Sequence, residues 1–318
     1  MYGWLSAPCR PAIACWELRS FCAPFCAALQ KLPQNEASLS HAFHTPAAPR
    51  QSAGVYVLLP VLNEAANIGA LLDKIETVLA PAPFTIGILD DGSTDGTLEY
   101  LEQRMRRPDH HLVLFRRRKT RRASQRGSAL RELMLWGLEN TPHAVFIEMD
   151  GDLSHRPEEL PEGIRIITEG RYEVAIASKY AAGSAVVNRP WGRRAISAVC
   201  SAAVRMLISR RVRDYSNGYR FYSRAAAEIA ADHAYRYGSP IYLTEILALW
   251  MRCGLRIGEF KSTYVGRGEG ISKLRSADLI KAAIGVFEIS ARYHLLGFKR
   301  QRTRVEYHPP RSSKAVGK

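Results

Sequence analysis

From Val55 onward the chain alternates between short, continuously apolar runs and longer stretches in which apolar residues return every three or four positions. The runs Val55–Leu59, Phe84–Leu89, His111–Phe115, His143–Met149 and Glu173–Ala177 have the length and β-branched content of buried strands. Between the first two, a helix from about Ala65 to Ala80 puts Ile68, Leu71, Leu72, Ile75 and Leu79 on one face. Further helices are predicted to end near Arg107 and to span Ser128–Glu139 and 158–169. Strand and helix alternating in this way predict an α/β fold with a mainly parallel sheet, flanked by helices on both faces.

Beyond Lys179 the alternation loosens. A helix over Trp191–Ser209 carries an apolar stripe of Ile196, Val199, Cys200, Ala203, Leu207 and Ile208. A strand at Tyr219–Tyr222, a helix over Ile241–Cys253 and a strand around 256–265 follow. An amphipathic helix over 277–298 closes the pattern, with Ile280, Ile284, Phe287, Ala291, Leu295 and Phe298 recurring at spacings of three and four. Residues 1–53 show no such periodicity and hold six of the seventeen prolines, so a poorly ordered extension is expected there. Arg10, Glu17 and Arg19 interrupt the apolar core that a signal peptide needs. The organisation expected is thus an extension (1–53), one catalytic-sized domain (54–275), an amphipathic helix (276–298) and a basic tail (299–318).

Composition adds two constraints. The formal net charge of +15 predicts an anionic partner: nucleic acid, phospholipid or a phosphorylated substrate. No run approaches the ~18 apolar residues of a membrane-spanning helix. Four of the six cysteines fall in the first thirty residues without zinc or disulfide spacing, which reads as a reducing compartment. Seven of the eleven residues from 116 to 126 are Arg or Lys. No zinc-finger, helix-turn-helix or aromatic RNA-stacking signature accompanies them, so nucleic acid is not the expected partner.

The chemistry concentrates at strand ends. His143–Met149 runs into Asp150-Gly151-Asp152, two carboxylates on the carboxyl edge, where open α/β sheets bind ligands. Such a pair is costly unless a cation joins it, and a hard divalent ion that also carries phosphate oxygens suits the role. A helix-capping turn would use the same residues. Phe84–Leu89 ends similarly in Asp90-Asp91-Gly92-Ser93, and the first strand in Pro60-Val-Leu-Asn63-Glu64. Three acidic or polar tips on one edge favour a nucleotide pocket over three unrelated turns.

At these residues the chain resembles the dolichol- and polyprenol-phosphate mannosyltransferases, within the second family of inverting glycosyltransferases. The resemblance covers roughly Val55 to Leu274. Its motifs are Pro60-Val-Leu-Asn-Glu64, Asp90-Asp-Gly-Ser-Thr-Asp-Gly-Thr97, Met149-Asp-Gly-Asp-Leu-Ser-His155-x-Pro157, Ser178-Lys-Tyr180, Ser216-Asn-Gly-Tyr-Arg-Phe-Tyr222 and Arg267-Gly-Glu-Gly-Ile-Ser-Lys273. It implies a GT-A fold, a nucleotide-diphosphate-sugar donor and Mg²⁺ or Mn²⁺. Matched by position, Pro60, Leu62, Glu64, Leu89 and Asp91 would line the nucleoside pocket. Asp150 and Asp152 would hold metal and diphosphate, with Gly151 and Ser154 beside them. Lys179, Arg267 and Lys273 would bind phosphate groups of donor or acceptor. The family commonly has Ala at Gly151, Arg at Lys179, and a glycine-rich loop where this chain has Ser124-Gln-Arg-Gly127.

An inverting transfer to a sugar hydroxyl needs a carboxylate base. A lipid phosphate is already an anion at neutral pH and needs cations to hold it. Among catalytic candidates, Asp152 would serve the leaving diphosphate, while Arg220, Arg267 and Lys273 suit a phosphate acceptor better than Asp214 or Glu245 suit a hydroxyl. The expectation is therefore transfer of mannose from GDP-mannose to a polyprenyl or dolichyl phosphate, at the cytoplasmic face of a membrane. Amphipathic helices at 191–210 and 277–298 would touch the membrane surface or else pack on the core or a second subunit. The alternatives are a UDP-sugar donor, a non-lipid acceptor, or a non-catalytic basic module bound to nucleic acid or acidic membrane.

Overall fold

The computed structural model describes residues 54–117, 126–187, 191–233, 235–237, 241–266 and 276–297. The extension 1–53, most of the basic run, Arg267, Lys273 and the tail from 298 lie outside these residues.

The first half alternates as the pattern predicts. Strand β1 (Val55–Val61) leads to helix α1 (Ile68–Leu79), β2 (Phe84–Asp90) to α2 (Thr97–Arg104), and β3 (Leu112–Arg116) to α3 (Arg126–Asn140). β4 (Val145–Glu148) is followed by a 3-10 turn (Pro157–Glu159) and α4 (Leu160–Thr168), then β5 (Val174–Ser178). The second half contains β6 (Ala185–Val187), α5 (Trp191–Leu207), β7 (Arg220–Ser223), α6 (Arg224–Ala231), α7 (Tyr242–Arg252), β8 (Ile257–Lys261), β9 (Thr263–Val265) and α8 (Ser276–Ala291), which ends in a π-helical turn at Arg292–Leu296. The strand expected over 256–265 is two strands, and β9 pairs with β6 in a separate small sheet.

Seven strands form the main sheet in the order β3-β2-β1-β4-β7-β5-β8. Neighbours run parallel, except that β7 is antiparallel to both β4 and β5. Side chains of a strand alternate between faces, and here both faces are apolar. Tyr56 and Leu58 point into one core layer with Leu130, Leu133, Ala227, Leu247 and Trp250. Val55, Val57 and Leu59 point into the other with Ile68, Leu72, Leu101 and Leu160. In register, Val61 lies opposite Asp90 and Leu58 opposite Glu148, which aligns the carboxyl ends of β1, β2 and β4 along one edge.

Two helices turn differently from their expected stripes. Among the described side chains of α5, Ser201 and Val204 are buried, with Ile208 buried just beyond its end, whereas Val199 is 70% and Met206 73% exposed. On α8 the core side is Gly285 and Ile289, while Ile284 and Phe287 of the predicted stripe face outward, as does Leu295 in the π turn. Of the expected stripes, Val199 on α5 and Ile284 and Phe287 on α8 do not pack on the domain, whereas Ile208 does.

Candidate active site

The tips of β1 and β2 are laced together by hydrogen bonds. Asn63, at a positive φ of 58°, donates its backbone N–H to Ser93 Oγ at 2.9 Å and accepts Thr94 N–H on Oδ1 at 2.8 Å. Glu64 N–H reaches Thr97 Oγ1 at 2.9 Å, and Ala65 N–H reaches Asp95 Oδ2 at 3.1 Å. Asp90 is wholly buried and closes its own turn, accepting from Gly92 N at 3.2 Å, Ser93 N at 3.1 Å and the Ser93 hydroxyl. Asp91 is left facing the edge, paired with Arg117 Nε at 3.1 Å. Pro60, Leu62 and Glu64 are half-buried along the same margin. Leu89, expected at the pocket wall, is 1% exposed and packs in the core with Tyr56 and Phe115.

The β4 tip meets the other two. A Cβ at Gly151 would lie 3.1 Å from Val61 Cγ1 and 3.5 Å from Glu64 Cγ, so the glycine permits the backbone to close on the β1 tip. Asp152, 9% exposed, accepts Ser154 N–H at 3.0 Å. Asp150, with 27% of its side chain exposed, is paired with Arg126. The same guanidinium donates to Glu148 Oε1 at 3.2 Å and to Tyr242 Oη at 2.9 Å, and Tyr242 in turn donates to Glu148. Burial disfavours the charge on Arg126, but Tyr242 and Glu148 outweigh it and leave its pKa above the usual arginine value.

His155 supports this tip from beneath. Its Nδ1 accepts Asp150 N–H at 3.0 Å, which leaves the proton on Nε2 to be donated to Asn217 Oδ1 at 3.0 Å. The ring stacks on Tyr219 with centroids 4.9 Å apart. Burial, reinforced by the charge of Arg126, pushes the imidazole down to about 3. It is therefore neutral at physiological pH, and the 3.6 Å approach of Nε2 to Asp150 Oδ2 is no ion pair.

Other expected participants sit elsewhere. Arg220 is wholly buried and donates to the carbonyls of Asn217 (2.9 Å), Tyr215 (3.1 Å) and Leu243 (2.9 Å). That corrects its expected part as a phosphate-holding cation: it is a backbone clamp under the β7 loop. Lys179 donates to Ser216 Oγ at 2.9 Å and pairs with Asp214 at 3.4 Å, with 6% of its side chain exposed. Asp214 is 0% exposed and also accepts the N–H groups of Lys179, Ser216 and Asn217. Glu245, likewise 0% exposed, accepts from His233 at 3.0 Å and from Arg236 N–H. Neither carboxylate is open to a substrate hydroxyl. Arg126 and His155 were missed as site residues: the arginine is one of seven similar cations in its run, and the histidine is marked only by its place in the Asp150–Pro157 motif.

The donor set suits a hard divalent ion. Asp150 and Asp152 offer carboxylate oxygens, and Ser154 Oγ is buried without a hydrogen-bond partner two residues on. Among the described residues no group of three or more His, Cys, Asp or Glu side chains could hold a metal ion, so the protein would fill only part of the coordination shell. That division suits Mg²⁺ or Mn²⁺ bound partly through substrate phosphates.

Residues 56–229 match the model of Glycosyl transferase family 2. Polyprenol monophosphomannose synthase of Mycolicibacterium smegmatis is 30% identical over 253 residues, covering 79% of this chain and 92% of that protein. Undecaprenyl-phosphate mannosyltransferase of Micrococcus luteus is 29% identical over 235 residues, covering 73% and 92%. In three dimensions the chain is similar to glucosyl-3-phosphoglycerate synthase of Mycobacterium tuberculosis, solved with Mn²⁺, UDP-glucose and glycerol 3-phosphate, at a TM-score of 0.53 and 18% identity over 76% of this chain and 80% of that one. With its GT-A sheet and converging acidic tips, the chain belongs to glycosyl transferase family 2, as a glycosyltransferase of the polyprenol-phosphate mannosyltransferase type.

Proposed function

We propose that the chain transfers mannose from GDP-mannose to a polyprenyl phosphate, with inversion at the anomeric carbon. The observation that carries the choice of acceptor is the state of the two candidate bases: Asp214 and Glu245 are fully buried and already engaged. A hydroxyl nucleophile would find neither available, whereas a phosphate monoester needs no base. Its oxygen attacks the anomeric carbon as the bond to the nucleotide diphosphate breaks. Asp91, Glu64 and the margin at Pro60 and Leu62 would hold the nucleoside, and Asp150, Asp152 and Ser154 would seat Mg²⁺ or Mn²⁺. When bound, that ion neutralises charge on the departing diphosphate as a Lewis acid. Lys179, Arg267 and Lys273 remain the proposed cations for phosphate groups, Lys179 only after leaving Asp214. The Mn²⁺ in the mycobacterial synthase complex supports a divalent cofactor.

A membrane-bound acceptor is supported by the outward stripe. Val199 and Met206 on α5, Ile284 and Phe287 on α8, and Leu295 and Leu296 after it are all more than half exposed. Among the described residues no helix is long and apolar enough to cross a membrane. An apolar stripe on a chain of net charge +15 suits the surface of an anionic bilayer, here proposed as the cytoplasmic face.

The deciding assay incubates the protein with radiolabelled GDP-mannose, Mg²⁺ and a polyprenyl phosphate and extracts into organic solvent, with UDP-glucose as a parallel donor. Organic-phase label from GDP-mannose alone is expected. Label only from the UDP-sugar would overturn the donor, and release of free sugar without lipid product would overturn the acceptor. Replacing Phe287 and Leu295 together by Ser should reduce flotation with anionic vesicles while leaving turnover on a short, water-soluble prenyl phosphate intact. Undiminished flotation would remove the stripe from the membrane contact.

A further inference from the structure

We infer that Arg126 is a built-in counter-cation of the diphosphate site, and that it makes capture of the divalent ion depend on arrival of the sugar nucleotide. The inference rests on the reading of Asp150 and Asp152 as the ligands of that ion, and it concerns the order and coupling of binding.

Three features fix Arg126 in place. Its Nε, Nη1 and Nη2 are directed at Tyr242, Asp150 and Glu148 respectively. Two of those anchors are all but sealed: Tyr242 is 1% and Glu148 2% exposed. Beside them Gly218 leaves room for the guanidinium, since a Cβ there would stand 2.9 Å from Nη2. The cation is held from below and presents only its Asp150 edge to the site. It cannot swing aside cheaply, because withdrawal would strip Glu148 of its countercharge in a buried setting.

A positive charge fixed against one of the two ion ligands has opposite effects on the two substrates of binding. It repels a lone divalent cation and occupies part of the Asp150 carboxylate. It attracts a nucleotide diphosphate, whose negative charge then offsets the guanidinium and restores the pull on the cation. Ion and nucleotide should therefore tighten one another's binding by the same factor. Arg126 adds to that factor by weakening the ion alone. Even at the screening of bulk water, one fixed charge at ~6 Å from a divalent ion weakens its binding on the order of tenfold.

The test measures Mn²⁺ binding by the electron paramagnetic resonance of free Mn²⁺, with and without GDP (UDP if the donor assay selects it). The unaltered protein, R126Q, R126K and D152N are compared, each with near-ultraviolet circular dichroism to report folding. R126Q is expected to bind Mn²⁺ alone roughly tenfold more tightly, to bind GDP alone more weakly, and to show less mutual enhancement. R126K, which keeps the charge, should stay close to the unaltered protein. A folded R126Q with unchanged or weaker Mn²⁺ binding overturns the inference, as does R126K behaving like R126Q. If glutamine prevents folding, R126M is read by the same criteria. D152N separates the two layers: if it leaves Mn²⁺ binding intact, the ion site itself is elsewhere, whereas if it abolishes binding while R126Q changes nothing, only the role of Arg126 falls.

Discussion

At the tip of β2, Asp90 is satisfied within three residues, by the backbone of Gly92 and Ser93 and the hydroxyl of Ser93. At the tip of β4, Asp150 draws its partner, Arg126, from 24 residues away. In sequence the two clusters look alike, an acidic pair with glycine at a strand's end. The first buries Asp90 in a closed turn that holds the edge together and sets its neighbour Asp91 against Arg117. In the second, Asp150 is balanced by a remote arginine, Asp152 accepts the nearby Ser154 N–H, and the Ser154 hydroxyl has no hydrogen-bond partner. Local satisfaction gives stability, and remote satisfaction leaves room for a ligand.

The difference makes unequal demands on substitution. The largest expected effect is at the second tip: Asp152→Asn should lower metal-dependent transfer by on the order of a thousandfold, the loss of several kcal/mol of charge stabilisation, with the urea midpoint little changed. Full activity in that variant would detach Asp152 from the chemistry. Next comes the pairing of Asp90→Ala with Asp150→Asn. Losing the Asp90 acceptor orphans buried donors and should cost about 3 kcal/mol of stability. Asp150→Asn should cost less than about 1 kcal/mol, because that pair is partly exposed, while activity falls. Equal urea midpoints for the two would erase the contrast.

Smaller effects sharpen it. Ser93→Ala removes a hydroxyl that both donates and accepts, and should cost about 1 kcal/mol. Ser154→Ala should be neutral for folding yet weaken Mn²⁺ binding in the presence of nucleotide, as titration would show; a matching stability loss at both serines would count against the ion ligand. Smallest is the acid response of the first tip. Slight burial raises the pKa of Asp95, but hydrogen bonds from the Thr97 hydroxyl and the N–H groups of Ala65 and Thr97 prevail and hold it below the ordinary carboxylate value. Its contribution is complete above the unfolded value of about 3.9 and is lost as pH falls through the lower folded one. Thermal melts between pH 5 and 3 should therefore fall less steeply for Asp95→Asn than for the parent; parallel slopes would refute the assignment.

Much of this was legible in the chain, for reasons that differ by element. The early strands declare themselves because both faces of the sheet are covered, so their residues are apolar in unbroken runs. The three tips follow from parallel topology. The short helix Arg224–Ala231 escaped notice because its buried face is alanine, which packs closely but carries little periodic signal. Arg220 misled because an arginine amid motif residues suggests substrate contact, and nothing local reveals that backbone carbonyls surround it. On α8 the spacing of Ile284, Phe287 and Leu295 gave the stripe, but periodicity carries no information about which way a stripe looks. Arg126 was hidden by abundance: among seven cations, only the fold distinguishes the one that is seated.

The reversed strand β7 has a consequence for where the chain can be shortened. Because it runs against its neighbours, it delivers the residues that precede it to the edge where the other strands finish. Asn217 thereby reaches His155 across 62 positions of chain. Without that strand the imidazole lacks its acceptor and the aspartate loop its floor. A chain cut before Arg220 should therefore lose the pocket together with the bridge between β4 and β5, because β7 pairs with both.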